Sequence, residues 1–394
     1  MKKVDRWLLP DGIEEVLPEE ASRVEGLRRR LVDLFQSWGY DYVIPPMVEF
    51  IDSLLTGSGE DAYLDTFKIT DQLSGKTMGI RADITPQAAR MDAHSLQREG
   101  LNRLCYAGHV MYTKPKGPLA SRTPIQVGVE LFGESGLDAD IEVISLLLET
   151  LEAAGLPDLY IDIGHVGVYR ALIEEAGISK EQEEVYFELL QAKSINSIES
   201  WVANNITDAK MAEWLLALPR LAGGNHILAE AKALFEDAPA EVSAAIDELE
   251  MIDSVLTERY PHSKRYFDLS ELRGYHYYTG VIFGAFAPGL GNAIANGGRY
   301  DHVGEAFGRA RAATGFAADL MSISRVTGRC ELAPSGIYVE DSDADGIWAK
   351  IKQLRASGER VVCALAGQTA PYKHQHCNRK LIKQGEEFVV APIK

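Results

Sequence analysis

Apolar residues recur at helical spacing first in ASRVEGLRRRLVDLFQSWGY, where Val24, Leu27, Leu31, Leu34 and Phe35 lie three or four apart. Gly39 stands where that helix should stop. From Tyr40 to Gly133 the pattern changes to strand-like runs: DYVIPPMVEF, DTFKITD, KTMGIRAD, NRLCYAGHVMYT and TPIQVGVELFG. The polar break at Asp71-Gln72-Leu73-Ser74-Gly75 predicts an antiparallel hairpin. A helix over IEVISLLLETLEAAG and a strand over LYIDIGHV follow. Residues from about 169 to 260 read as nearly continuous helix, with Val242, Ile246, Leu249, Ile252 and Leu256 forming one apolar stripe that predicts core packing. Strands resume at KRYFDLS, HYYTGVIFGAF and NAIANGG, and a last helix is expected near Thr314 to Thr327. The remainder, 331–394, reads as a small α/β unit with a strand GIYVE, a helix in DGIWAKIKQLRASG, a strand VVCALAG, a short helix and a strand FVVAPI.

Composition narrows the function classes. The chain has 394 residues, 46% of them hydrophobic, enough for one large core or two to three smaller ones. Its net charge is -18, from 40 basic and 58 acidic residues. Nucleic-acid affinity rests on basic residues that neutralise phosphates, so this balance argues against a polyanionic partner. Cys105, Cys330, Cys363 and Cys377 are scattered without a CxxC pair, the usage of a reducing compartment. With no secretory or membrane-spanning apolar run, the chain is expected to be cytoplasmic and free of the membrane.

Three motifs that suggest other chemistries fail on detail. SGKT at Ser74 lacks the earlier glycine of a phosphate-binding loop, because Thr70 stands there, so a turn is expected. GLGNAI ends in Ile294 where a dinucleotide fingerprint needs glycine or alanine, and it lies between strands. His374, His376 and Cys377 do not have zinc-ligand spacing, so HQHC is expected to be a surface turn. No metal or cofactor is expected.

Six segments in order carry a more specific signal: GYDYVIPPMVEF, RADITPQAAR, YAGHVMYTKPKGPLASRTPIQVGVELFG, ELRGYHYYTGVIF, NGGRYD and GFAADLMSIS. Together they resemble class II aminoacyl-tRNA synthetases, and histidyl-tRNA synthetase in particular through LRGYHYYTG and GGRYD. The resemblance covers roughly residues 5–330 and implies an α+β fold, an antiparallel sheet flanked by helices with a helical insertion at about 169–260. It also implies dimerisation through the region of Pro45 and Pro46.

Position by position, the resemblance implies two opposite fates. Where the family places the motif-2 arginine and glutamate that meet ATP, this chain has Tyr112 and Lys114, and Pro124 replaces the phenylalanine under adenine. The motif-3 arginine is replaced by Ser322, with Asp319 nearby. Preorganised charge usually supplies most of the rate enhancement in such catalysis, so adenylation is expected to be lost. The amino-acid side is kept in type: Asp83, Thr85 and Gln126 match the holders of the α-amino group, Glu130 and Tyr278 those of the imidazole, with Tyr277 beside it, and Arg273 the contact to the carboxylate. These types suit an ammonium, an imidazole and a carboxylate.

The 331–394 unit is shorter than the family's anticodon-binding domain of about 90–100 residues. A histidine-binding synthetase-like chain without adenylation or that domain resembles the HisZ family, non-catalytic regulatory subunits of ATP phosphoribosyltransferase in histidine biosynthesis. That resemblance implies a short-form catalytic subunit as partner, a hetero-octamer of four chains of each kind, and L-histidine as allosteric effector. Two other readings share the fold: a tRNA- or amino-acid-sensing module, and an active histidyl-tRNA synthetase.

Overall fold

The computed structural model describes the chain except residues 1–6, 57–59, 118–119, 157–159, 289–290, 328–335, 343, 366–375 and 394. It divides into two units, one made of 1–15 and 24–327, the other of 16–23 and 328–394. The helix Pro18–Ser37 opens with proline and two glutamates, which suit a helix start, and buries Val24, Leu27, Leu31 and Phe35. Gly39 follows at φ +85°, a conformation that ends the helix at the residue the pattern names.

The large unit is built on a nine-stranded sheet. Its spatial order is Asp41–Tyr42, Asn102–His109, Ile125–Phe132, Ala313–Asp319, Ala295–Arg299, Val281–Phe286, Tyr160–His165, Lys264–Asp268 and Ala222–Gly223. Pairing is antiparallel apart from two parallel contacts, 41–42 with 104–105 and 160–163 with 264–267. The helix Leu137–Ala154 contributes twelve buried residues, from Ala139 to Ala154, and covers part of the sheet. Its Asp140 forms a buried ion pair with Arg299 at 2.7 Å, tying the GGRYD segment to the sheet's covering helix.

The predicted hairpin is present. Strands Phe67–Thr70 and Thr77–Ile80 pair antiparallel, and Asp71 accepts from the Leu73 and Ser74 backbone N–H groups and the Ser74 hydroxyl. SGKT is therefore a side-chain-stabilised turn. The insertion is a run of helices from Val166–Ala176 to Ala240–Arg259, interrupted by the strand Ala222–Gly223. It starts three residues earlier than expected because His165 caps it, its Nδ1 accepting from Gly167 N–H at 3.0 Å. All five residues of the predicted stripe are fully buried.

The pattern misplaces one helix. Ala313–Asp319 is a strand, and the helix covers only Leu320–Thr327. The small residues of ATGFAAD suit a central strand flanked closely on both sides, a tertiary demand that outweighs helical spacing. Among the described residues no helix is long and apolar enough to cross a membrane.

The small unit carries a four-stranded mixed sheet in the order Val361–Cys363, Gly336–Val339, Cys377–Gln384, Glu387–Pro392. Helix Ile347–Ala356 packs Ile347 and Ile351 against Ile337, Val339, Val361 and Leu381. The predicted short helix after VVCALAG lies outside the described residues, as do Cys330 and His374. Cys377 is buried at the start of a strand rather than in a surface turn, while His376 sits in the preceding turn at φ +52°.

Candidate functional site

Two neighbouring central strands, Ile125–Phe132 and Ala313–Asp319, put Gln126 opposite Asp319 and Glu130 opposite Gly315. Strand alternation sends Gln126 and Glu130 to one face, where they line a cavity of about 320 Å³. Asp83, Thr85, Tyr277, Tyr278 and Tyr300 line the same cavity, as do Tyr112, Pro124, Asp319 and Ser322. The segments distant in sequence therefore converge on one space.

The polar contacts at one end form a connected set. Asp83 Oδ1 accepts from Gln126 Nε2 at 2.8 Å and from Thr85 N–H at 3.0 Å. Gln126 Oε1 in turn accepts from Ile84 N–H at 2.8 Å, so the amide orientation is fixed from both sides. Arg81, buried just before this segment, donates to the carbonyls of His109 and Pro45, both at 2.8 Å, and holds the Asp83 turn against the sheet.

Glu130 lies deepest, 1% exposed. Tyr106 donates to one carboxylate oxygen at 2.9 Å, and the Tyr300 hydroxyl donates to the other. Thr85 Oγ1 is 3.2 Å from the Tyr106 hydroxyl. Burial pushes the Glu130 carboxyl up to about 8, with the tyrosine hydrogen bonds pulling the other way. Burial also pushes both phenols up, so they remain donors. Space for this carboxylate exists because residue 315 is glycine: an added Cβ there would collide with Glu130 and stand 2.5 Å from the Val129 carbonyl oxygen.

The aromatic wall comes from the signature loop. Tyr277 stacks on Tyr300, with ring centroids 5.0 Å apart, and meets Tyr278 edge-on at 5.2 Å. The Tyr277 hydroxyl is buried without a hydrogen-bond partner among the described residues. Glycine at 298 leaves room for the wall, since a Cβ there would stand 2.8 Å from the Tyr278 ring.

At the other end the polar groups satisfy one another. Asp319 accepts from the N–H groups of Met321 at 2.9 Å and Ser322 at 3.3 Å, and from the Ser322 hydroxyl at 2.5 Å. It thereby caps the helix Leu320–Thr327. Tyr112 is covered by Lys116, whose ammonium lies 4.1 Å from the ring centroid. Lys116 is the one cation among the described residues lining this cavity.

Two sequence-based placements change. Arg273 does not line the cavity that holds Glu130; it faces an adjoining one of about 440 Å³ that shares Asp83, Tyr277, Tyr278 and Asn296 as walls. There it donates to Asn296 at 2.7 Å and Glu271 at 2.8 Å, because the neighbouring carboxylate captures the guanidinium. Lys114 is exposed and lies off both cavities. Sequence reasoning misses Tyr106, Tyr300 and Lys116 as site residues. All three lie inside segments already singled out, Tyr106 and Lys116 in YAGHVMYTKPKGPLASRTPIQVGVELFG and Tyr300 in NGGRYD, but no local pattern tells which side chains meet at Glu130.

Residues 12–323 match the histidyl-tRNA synthetase family, and residues 334–391 match the C-terminal domain of the ATP phosphoribosyltransferase subunit HisZ. The chain is similar to the ATP phosphoribosyltransferase regulatory subunit of Teredinibacter turnerae, 64% identical with 100% of both chains covered. It is 55% identical to that of Cellvibrio japonicus, covering 100% of this chain and 99% of the relative. A solved ATP phosphoribosyltransferase regulatory subunit/histidyl-tRNA synthetase from Bacillus halodurans superposes with TM-score 0.82 at 29% identity, covering 94% of this chain and 96% of that one. Histidyl-tRNA synthetase from a Nostoc species, at 18% identity and TM-score 0.79, covers 98% of this chain and 97% of that one and shares the fold.

Proposed function

The chain belongs to the regulatory subunits of ATP phosphoribosyltransferase, and from that membership we propose that it is a non-catalytic histidine sensor. It activates a short-form catalytic subunit and imposes feedback by L-histidine. The observation that carries this reading is the unequal content of one cavity. An amino-acid-type set gathers at one end, with Thr85 and Glu130 buried, Gln126, Tyr277 and Tyr278 half-buried and Asp83 exposed at its rim, while the other end presents Tyr112, Pro124, Asp319 and Ser322 where phosphate-binding arginines would be needed.

In this reading the ligand's ammonium meets Asp83 and the Gln126 edge, and its imidazole meets Glu130 beside Tyr278. Its carboxylate lies at the Asn296 edge, where the two cavities meet and Arg273 donates. Glu130 has no catalytic part; with its carboxyl pushed up to about 8 it is mostly protonated near neutral pH and shares with the imidazole a hydrogen bond in which either can donate, beside two tyrosines. The catalytic partner carries the substrates of the transferase reaction. Self-association as a dimer, a hetero-octamer with the partner and a cytoplasmic setting belong to the same proposal, as does a C-terminal unit that stands in place of an anticodon-binding domain. Histidine binding shifts the assembly with a coupling of about 1–3 kcal/mol, and reciprocity requires the inhibited partner to tighten histidine.

Isothermal titration of the purified chain with histidine and then ATP, before and after Glu130→Ala, tests this. Histidine heat that disappears in the variant, with none from ATP, is expected. ATP binding would revive the synthetase reading. Silence from both ligands would move the feedback site to the partner or the interface.

A further inference from the structure

The signature loop has two faces. Tyr277 and Tyr278 line the ligand cavities, whereas the two preceding residues, Tyr275 and His276, line a separate groove of about 460 Å³ together with Arg170, Lys180, Glu183 and Phe187. On that outer side Tyr275 packs edge-on against Tyr169, with centroids 5.0 Å apart, and lies 5.6 Å from Phe187; His276 lies 5.7 Å from Phe187. The aromatic contacts continue into the helical insertion, from Tyr169 to Tyr186 at 6.2 Å and from Tyr186 to Trp201 at 4.9 Å. On the inner side, Tyr277 stacks on Tyr300, which donates to Glu130. The backbone from 275 to 278 is thus the bridge between two packed aromatic groups.

Arg170 clamps the backbone of that bridge. Arg170, on helix Val166–Ala176, donates to the carbonyl oxygens of Tyr278 at 3.2 Å and Thr279 at 3.5 Å. Its guanidinium also lies 5.3 Å from the Tyr275 ring centroid. Tyr275 is further held by its hydroxyl donating to Glu183 at 3.3 Å. By contrast, the buried Tyr277 hydroxyl has no hydrogen-bond partner among the described residues, so a ligand acceptor that reaches it through a shift of the loop would satisfy it.

We infer that Arg170 is a positioning residue of the ligand cavity, fixing the loop 273–279 so that occupancy of the cavity is felt at the outer groove of the insertion. A ligand acceptor engaging Tyr277 shifts a loop whose backbone Arg170 clamps, and the movement reaches Tyr275, His276 and helix Lys180–Gln191. The inference rests on the histidine reading only for the identity of the ligand.

Hydrogen exchange of the full-length chain with and without saturating histidine decides it, with binding of each variant confirmed by calorimetry. In the wild-type protein, histidine is expected to slow exchange at 275–279 and 180–191 by about tenfold, within the usual range of coupling between sites. Arg170→Ala should bind histidine more weakly and, once saturated, leave 180–191 without a response, and Arg170→Lys, with a cation able to reach the same carbonyls, should restore most of both. A wild-type 180–191 indifferent to bound histidine, or an Arg170→Ala variant as responsive as wild type, overturns the inference. A ligand-free arm separates it from the proposed function and from misfolding. Phe187→Ala, made in the outer groove with Arg170 intact, should speed exchange at 275–279 in the unliganded protein. If histidine does not bind at all, the sensor reading falls but this arm still decides the tie: an unchanged rate at 275–279 sinks it.

Discussion

The two ends of the central cavity are built from the same two strands and differ in where their hydrogen bonds point. At the Glu130 end, acceptors and donors from four segments interlock around a carboxylate kept at the cavity floor. At the Asp319 end the carboxylate bonds to the first turn of its own helix, within three residues. One end is organised across the fold and the other locally. Long-range organisation is harder to alter without global cost, and that difference makes the comparison breakable.

The largest expected effect is at Gly315. Gly315→Ala sets a methyl against Glu130 and the Val129 carbonyl, so a destabilisation of about 3 kcal/mol is expected in chemical denaturation. A neutral result would mean that the Glu130 end is loosely packed. Tyr106→Phe should come next, at about 2 kcal/mol, since it removes one of the donors, beside Tyr300 and Thr85, from a buried carboxylate. Loss of histidine affinity should accompany it in calorimetry.

The pH dependence sharpens the comparison. The Glu130 carboxyl titrates at about 8 in the folded chain against an ordinary 4.5, so the folded state binds the extra proton between those values. Stability contributed by this group therefore falls as pH rises from about 4.5 to about 8, and is flat beyond. Melting temperatures of wild type and Glu130→Gln, taken across that window, should diverge in favour of the variant as pH rises. Parallel curves would place the carboxylate in a far more polar setting. The smallest effect belongs to the opposite end. Asp319→Ala should cost about 1 kcal/mol, the value of a helix cap, and leave histidine affinity unchanged.

The segments meeting at this cavity are legible in the sequence because each carries its chemistry in a short run: RADIT holds Asp83 and Thr85, and the strand IQVGVELF sets Gln126 and Glu130 four apart on one face. The buried stripe from Val242 to Leu256 is legible for the same reason. Pairings across the sheet are not. Tyr106 and Tyr300 reach Glu130 over sequence separations of 24 and 170 residues, which no local pattern reports. Arg273 suits a ligand carboxylate by type, but Glu271, two residues away, competes for it. The strand Ala313–Asp319 reads as helix because small residues satisfy either periodicity, and strand neighbours on both sides decide it.

Asp319 has a consequence for reversibility. The start of a helix presents unpaired N–H groups that attract anions, and phosphates commonly settle there. In this chain the anion is tethered: a side-chain carboxylate already fills the position at the head of Leu320–Thr327. Placing an arginine at Ser322 would supply a cation next to an occupied seat, and the new guanidinium would pair with Asp319 before any nucleotide arrived. If this end derives from a nucleotide site, as the proposed function holds, phosphate binding would need the tether removed and the cation added together, with either step alone bringing no gain. On that reading, the self-capped helix start makes a return to nucleotide binding depend on two simultaneous changes rather than one.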